Sequence, residues 1–224
     1  MKKVIYLLWV CIGVLISTTY AAAISNPGFE QKLEDVSEWY DPPAYWQYEN
    51  YANVVEQFAS SSPPTSWSID TPYEGDSFVI LATGEAMGEV KDADYTYSKL
   101  WQEATFQAGR TLSFAWFFGT YDWRPYNDYA VASLVPVDAL AGLTVIELVN
   151  IDVDDVGSYG ATHGWQTVEF TFDATNAGRY NLTFEVHDVI DKITSSYFAI
   201  DGIVPEPTTV LLLAIGGLIA RRRC

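Results

Sequence analysis

Cysteine, histidine and positive charge are scarce in this chain of 224 residues. Its 2 cysteines, Cys11 and Cys224, lie in the two terminal segments. Neither a disulfide framework nor thiol catalysis is therefore expected in the part of the chain between those segments. The 2 histidines, His163 and His187, and the lack of a Gly-x-Ser-x-Gly sequence give little basis for nucleophilic catalysis. Only 12 Lys and Arg face 29 acidic residues, a net charge of −17. Such a chain is repelled by nucleic acid and by anionic membranes.

The N-terminal segment has the pattern of a signal peptide. Two lysines precede an apolar run at 4–16, and an alanine triplet at 21–23 supplies the small residues that a signal peptidase requires. We expect cleavage after Ala23, which would remove residues 1–23.

The C-terminal segment combines a Pro-Glu-Pro sequence, a short apolar stretch and a basic end. The apolar run at 210–220 would form roughly 16 Å of helix, against about 30 Å of hydrocarbon core. It therefore predicts a transient membrane anchor with a cytoplasmic basic end, rather than a buried helix of the domain. Residues 205–224 resemble the PEP-CTERM sorting tail, which is recognised by exosortase-type membrane proteases. The residues that carry this resemblance are Pro205, Glu206, Pro207, Arg221, Arg222 and Arg223.

Between the two segments lies one domain, at residues 24–204. Processing would leave it 28 acidic and 7 basic residues, a net charge of −21. We expect it to be exported to the cell envelope, the cell surface or the extracellular matrix. Divalent cations, cationic polymers and simple solubility are the open explanations of its charge.

Apolar and polar residues alternate with a period of two through most of this domain. The clearest runs are at 112–118, 165–172 and 180–187, and further strands are predicted at 77–82, 97–106, 128–137, 144–150 and 197–203. No helical pattern exceeds two turns. The fold class is therefore all-β, an antiparallel β-sandwich of jelly-roll type, flanked by an N-terminal signal helix and a short C-terminal apolar helix. The proline-rich, aromatic segment 33–76 is predicted to form long loops over one end or face of the sandwich.

Several sequences in the domain resemble known families. The opening run Asn26–Glu30 resembles that of jelly-roll carbohydrate-binding modules, and Ala199–Ile203 resembles the last strand of exported PEP-CTERM sandwich proteins. In the carbohydrate-binding relatives a structural Ca²⁺ joins these two segments. The resemblance implies Glu30 and Asp201 as its ligands here; the alternative is that both cap turns or face solvent. Whether Asp128, Asp188 and Asp191 meet at one end of the sandwich is not decided by the sequence.

Aromatic residues in two irregular segments are candidates for sugar stacking. Sugar rings pack on exposed aromatic faces, while amides and carboxylates bind the hydroxyl groups. Trp46 and Tyr48 lie in the first segment, and Trp123 and Tyr126 in the second. The alternative is that these rings only cover the sandwich, and for Trp46 packing is the favoured interpretation.

Two function classes follow. The first is a non-catalytic surface or matrix protein that binds extracellular polysaccharide and is sorted through its tail. Its partners would be a signal peptidase, an exosortase-type protease and the glycan, with no nucleic acid. The second is a secreted glycan-active enzyme on the same scaffold, for which 28 carboxylates offer many pairs but no signature selects one.

Overall fold

The computed structural model describes residues 24–33, 41–59, 67–84, 96–138, 142–190 and 194–205. The predicted signal peptide at 1–23 and the tail from Glu206 onward lie outside the described residues. The described part contains one four-residue helix, Val153–Val156 (α1), and twelve strands. The strands are Gln47–Glu49 (β1), Ala52–Val55 (β2), Phe58–Ala59 (β3), Ser68–Ile69 (β4), Phe78–Ala82 (β5), Tyr97–Phe106 (β6), Thr111–Thr120 (β7), Tyr129–Pro136 (β8), Ile146–Asp152 (β9), Gln166–Thr171 (β10), Gly178–His187 (β11) and Ser196–Pro205 (β12).

Two five-stranded antiparallel sheets form a sandwich. Sheet 1 has the order β1-β6-β11-β8-β9, and sheet 2 has the order β10-β7-β12-β5-β2. Strands that follow one another in the sequence are mostly not adjacent in a sheet, as is usual for β-sandwiches of jelly-roll type. The predicted fold class is confirmed for the domain.

The core consists of the inward-facing residues of both sheets. In β11 the even-numbered residues from Tyr180 to Val186 are fully buried, and β7 contributes Phe114 and Phe118 from the other sheet. The rings of Phe114 and Phe184 meet edge to face, with centroids 5.1 Å apart. The alternation read from the sequence therefore marks which face of each strand is buried.

The outer face of sheet 2 is covered by the short β3–β4 hairpin. Trp67 packs against Phe117, Tyr121 and Tyr197, with ring centroids 5.4 to 5.7 Å apart. Phe58 packs beside Trp67 in a tilted arrangement, with ring centroids 5.7 Å apart. These contacts confirm that the aromatic segment before β5 covers one face of the sandwich.

The prediction of long loops at 33–76 was wrong in one respect. Within it, β1 pairs with β6 at the edge of sheet 1, and β2 pairs with β5 at the edge of sheet 2. Asn50 lies between them with φ of 65°, and its side-chain amide donates to the Tyr97 carbonyl at 2.6 Å. The chain thus crosses from one sheet to the other in a tight corner. Strands of three or four residues contain too few repeats for alternation to show.

No helix among the described ranges is long and apolar enough to cross a membrane. The last strand ends at Pro205, which pairs with Leu112 of β7. The first residue assigned to the tail is therefore part of sheet 2.

Candidate functional site

The outer surface of sheet 1, termed here the open face, carries a regular array of polar and aromatic side chains. Register places residues 97, 99 and 101 of β6 beside 187, 185 and 183 of β11, and the last three lie beside 129, 131 and 133 of β8. Because residues two apart share a face, all nine point away from the core. The members are Tyr97, Lys99, Trp101, Thr183, Glu185, His187, Tyr129, Val131 and Ser133.

Thr183, between Trp101 and Ser133 on the open face, is covered by its neighbours. Thr183 is only 1% exposed, although it lies on the side of the sheet opposite the core. Trp101, its partner on β6, is half-buried, as is Val131 on β8. The neighbouring side chains therefore cover Thr183, and the partly exposed Trp101 and Val131 form the surface that a ligand would contact on this part of the open face.

Charged groups on the open face form a connected network. The Glu185 carboxylate bridges Lys99 Nζ at 2.9 Å and His187 Nε2 at 2.8 Å. The His187 hydrogen bond, followed by that of Lys99, lowers the pKa of Glu185 to about 2. Lys99 Nζ also lies 5.6 Å from the centroid of the Trp101 ring. Glu185 is therefore ionised at neutral pH, and the network holds Lys99 beside Trp101.

A stack of three rings closes one end of the open face. His187 lies between Tyr129 and Tyr97, at centroid distances of 4.7 Å and 5.8 Å and interplanar angles of 7° and 18°. The Tyr97 hydroxyl is hydrogen-bonded to Glu49 on β1, which raises the pKa of that tyrosine. The stack joins four strands and gives this end a fixed shape.

The aromatic residues predicted from sequence have different environments. Trp46 is 5% exposed and packs on Phe29 and Phe184, with centroids 5.3 Å and 6.1 Å away. Its ring offers no open face to a sugar, so the structure supports the packing interpretation. Tyr48 is half-buried and packs against the same core.

Trp123 and Tyr126 are brought together in the loop between β7 and β8. Their rings meet edge to face at 5.5 Å, and Trp123 is 37% exposed. The sequence places these two residues in one segment, but it does not predict Tyr159, which stacks on Trp123 from a different loop with ring centroids 5.4 Å apart.

The open face itself was also missed. A signal was available, because Tyr97 and Trp101 occupy polar positions in the alternating pattern of β6.

Glu30, near the start of the domain sequence, and Asp201, near its end, both bind the backbone of the loop at 73–76. Asp201 is fully buried; its Oδ2 accepts from the Glu74 N–H at 2.9 Å and its Oδ1 from the Gly202 N–H at 2.7 Å. Glu30 Oε1 accepts from the Asp76 N–H at 2.8 Å. A β-bulge between Asp201 and Val204 interrupts the pairing of β12 with β7 at this point.

Glu30 and Asp201 lie close enough for their charges to interact. Burial, opposed in part by the backbone hydrogen bonds, raises the pKa of Asp201 to about 6, and the charge of Glu30 adds to the rise. Among the described residues neither carboxylate forms an ion pair with a basic side chain. A β-carbon at Gly75, whose φ is 67°, would lie 1.9 Å from Glu30 Oε1, so the loop approaches the carboxylate closely. Two hard oxygen donors on a tight loop fit Ca²⁺.

A second group of carboxylates lies at the end of the sandwich where β12 begins. Asp122, Asp128 and Asp188 have oxygen atoms within 4.8 Å of one another. Asp128 Oδ2 accepts from Ser196 Oγ at 2.6 Å, and its Oδ1 accepts from the Val189 N–H at 2.8 Å. The structure thus brings Asp128 and Asp188 together, while Asp191 lies outside the described residues. Such a group can hold a cation or share a proton.

We expect this group to make stability depend on pH. Burial, with a smaller effect from Asp122, raises the pKa of Asp128 to about 7. A raised pKa means that the folded state holds the proton more tightly than the unfolded state. The protonated Asp128 therefore stabilises the fold fully below about pH 4, and this contribution is lost as the pH rises through 7. In the presence of a chelator, wild type should lose roughly 2–4 kcal/mol more stability than Asp128→Asn between pH 4 and pH 8, since each unit of pKa shift corresponds to about 1.4 kcal/mol. Urea unfolding across this range measures the difference, and parallel curves for the two proteins would contradict the assignment.

The acidic residues around the start of α1 have a structural role. Asp152 caps α1 by accepting from the N–H groups of Asp154 and Asp155, and Asp155 returns a hydrogen bond to the Asp152 N–H. This is a capping box, which satisfies the first amides of a helix.

Comparisons with known proteins show similarity to several solved structures. The chain is similar to TmCBM61 in complex with beta-1,4-galactotriose, with 16% identity over 82% of this chain and 97% of the other and a TM-score of 0.43. It is similar to CBM28, a non-crystalline cellulose specific carbohydrate-binding module, with 11% identity, coverage of 83% and 96% and a TM-score of 0.42. A third is the CBM22-1 xylan-binding domain from Paenibacillus barcinonensis Xyn10C, with 8% identity, coverage of 80% and 93% and a TM-score of 0.37. No protein-family model and no curated protein matches the chain. The similarity concerns the architecture of the sandwich.

Proposed function

We propose that this protein is a non-catalytic glycan-binding module and that the open face holds an extended polysaccharide. The observation that carries the proposal is the alternation on β6, where Tyr97 and Trp101 flank Lys99 on the polar side of the strand. Aromatic faces pack against the C–H faces of sugars, and the side chains between them bind hydroxyl groups. Thr183 and Glu185 continue the polar surface onto β11.

The ligand is an uncharged polysaccharide. Lys99 and Arg179 are already paired with Glu185 and Glu103 on this side of the sheet, so neither is free to neutralise a uronate or sulfate. The domain as a whole is strongly acidic. An anionic polymer would approach against long-range repulsion, whereas a neutral chain would not.

The ionisation of Glu185 on the open face favours binding of a glycan over its hydrolysis. A glycosidase needs one protonated carboxyl group as general acid. Glu185, the central carboxylate, is fixed in its ionised form by Lys99 and His187. The proposal therefore favours the binding protein over the glycan-active enzyme.

A structural Ca²⁺ at Glu30 and Asp201 is the second part of the proposal. When bound, the ion would balance the two carboxylates and stabilise the 73–76 loop. Export through a signal peptide and sorting through the C-terminal tail remain predictions from the sequence.

The experiment that tests the proposal is affinity electrophoresis in native gels cast with galactan, xylan, a mixed-linkage glucan and, as the anionic control, alginate. Wild type should be retarded by at least one neutral polysaccharide and not by alginate, and it should release no reducing sugar. Trp101→Ala should lose most of this retardation, because it removes the largest aromatic ring of the open face.

Tyr73→Ala provides the matched control. Tyr73 is 51% exposed and lies near Gly202, away from the open face, so its removal should leave retardation unchanged. Equal retardation of Trp101→Ala and wild type would refute binding by the open face.

A further inference from the structure

Three aromatic rings, the exposed Trp123 and the half-buried Tyr126 and Tyr159, form a platform at one end of the sandwich, outside the open face. Trp123 stacks on Tyr159 at 5.4 Å and 25°, and Tyr126 meets it at 5.5 Å and 80°. More than a third of the Trp123 surface nevertheless remains exposed. These three residues are termed the aromatic platform.

Backbone hydrogen bonds hold the platform in place before any ligand arrives. The Tyr126 N–H donates to the Trp123 carbonyl at 2.9 Å, which closes the β7–β8 loop. The Tyr159 N–H donates to the Asp122 carbonyl at 2.8 Å, which ties the loop after α1 to the first loop. Because both loops are fixed and Trp and Tyr have few rotatable bonds, little entropy is lost when such a surface binds.

Polar side chains lie in the loop that carries the platform and in the facing start of α1. Arg124, the neighbour of Trp123, forms an exposed ion pair with Asp154. The Asn127 amide donates to Asp152 Oδ2 at 2.9 Å, and its carbonyl oxygen accepts from the Asp154 N–H at 3.2 Å. Guanidinium, amide and carboxylate groups beside an aromatic ring are the set that binds a sugar and its hydroxyl groups.

The platform adjoins the closed end of the open face. Asp152, which binds Asn127, is paired with Tyr129 across β8 and β9. Tyr129 is a member of the three-ring stack that closes that end. The loop that carries the platform is therefore connected to this end of the open face.

We propose that the aromatic platform is a second sugar-binding site, which takes one ring of the same uncharged polysaccharide through Trp123. The inference rests on the proposed function for its class of ligand, but its residues are separate from those of the open face. Asp152, Asp154 and Asp155 make the surroundings acidic, so an anionic ligand is disfavoured here as well. Two linked sites raise retention on a polymer above that of either site alone.

The test uses the full chain in the same neutral-polysaccharide gels, with Trp123→Ala, Trp123→Phe, Trp101→Ala and the control Tyr73→Ala. Trp123→Ala should bind the retained polysaccharide roughly three- to tenfold more weakly, as expected from losing one aromatic stacking contact. Trp123→Phe should recover most of this loss, because the smaller ring can still stack. Thermal melts confirm that each variant is folded, and sedimentation measures self-association.

The outcomes separate this site from the open face. Full retention by Trp123→Ala, together with loss in Trp101→Ala, would overturn the second site alone. No retention of wild type by any neutral polysaccharide would overturn both proposals. An equal loss in Tyr73→Ala, or a wild-type dimer that Trp123→Ala abolishes, would also overturn the second site, the latter by assigning the platform to self-association.

Discussion

Trp46→Ala should lower the free energy of unfolding by about 3–5 kcal/mol, the usual cost of truncating a large buried aromatic side chain. The ring is 5% exposed and lies between Phe29 and Phe184, so its loss leaves a cavity where the N-terminal segment meets sheet 1. Its Nε1 also donates to the Asn26 carbonyl at 3.3 Å, a bond that the substitution removes. Urea denaturation monitored by circular dichroism measures the change.

The neighbouring residue supplies the control. Tyr45 is 67% exposed, so Tyr45→Ala should change stability by less than about 0.5 kcal/mol. At temperatures where Trp46→Ala is folded, its polysaccharide retention should equal that of wild type. If Trp46→Ala lowers the free energy of unfolding by less than about 1 kcal/mol and also loses polysaccharide retention, Trp46 is a binding residue and not part of the core.

Asp201→Ala should destabilise the domain by about 3 kcal/mol and abolish its response to calcium. The fully buried carboxylate accepts backbone N–H groups from Tyr73, Glu74 and Gly202. Hydrogen bonds to charged groups are worth about 1.5–3 kcal/mol each, and the cost of burying the charge offsets part of their sum. If Ca²⁺ is bound between Asp201 and Glu30, chelation should lower the melting temperature of wild type. The same treatment should leave Asp201→Ala unchanged.

Glu30→Gln separates the metal from the hydrogen bonds. It retains an oxygen that can accept from the Asp76 N–H but removes the charge. This variant should therefore resemble chelated wild type and show little further response to chelator. If chelation shifts the melting temperatures of wild type and Asp201→Ala by the same amount, calcium does not bind here.

The sequence predicted the long strands well, because each contains enough alternation to indicate both the strand and its buried face. The run at 180–187 lies within β11, and that at 112–118 lies within β7. The short strands β1 and β2 could not be found in this way. Their positions depend on pairing with β6 and β5 and on the corner at Asn50, which are tertiary features.

The candidate sites were predictable only where neighbours in sequence are neighbours in space. Trp123 and Tyr126 satisfy this condition, whereas Tyr159 reaches Trp123 from a different loop. Trp46 lies in an irregular segment, and from the sequence alone it could be either a binding residue or part of the core. Its burial depends on contact with Phe184, which lies 138 positions further along the chain.

The open face required knowledge of strand order. The contacts of Trp101 with Lys99, and of Lys99 with Glu185, depend on β6 lying beside β11. Alternation identifies the outward residues of each strand but not which strands are adjacent. The resemblance to carbohydrate-binding modules led to the expectation of a glycan ligand without indicating this face.

The most direct measurement of the central claim is a two-dimensional ¹H–¹⁵N NMR titration with oligosaccharides of the retained polysaccharide. We predict that the indole N–H resonance of Trp101 shifts together with the amide resonances of β6 and β11 around it. The indole N–H of Trp165, which donates to the Thr71 carbonyl at 3.0 Å near sheet 2, should not move. Shifts confined to Trp165 and the outer side of sheet 2, with Trp101 unaffected, would contradict binding by the open face.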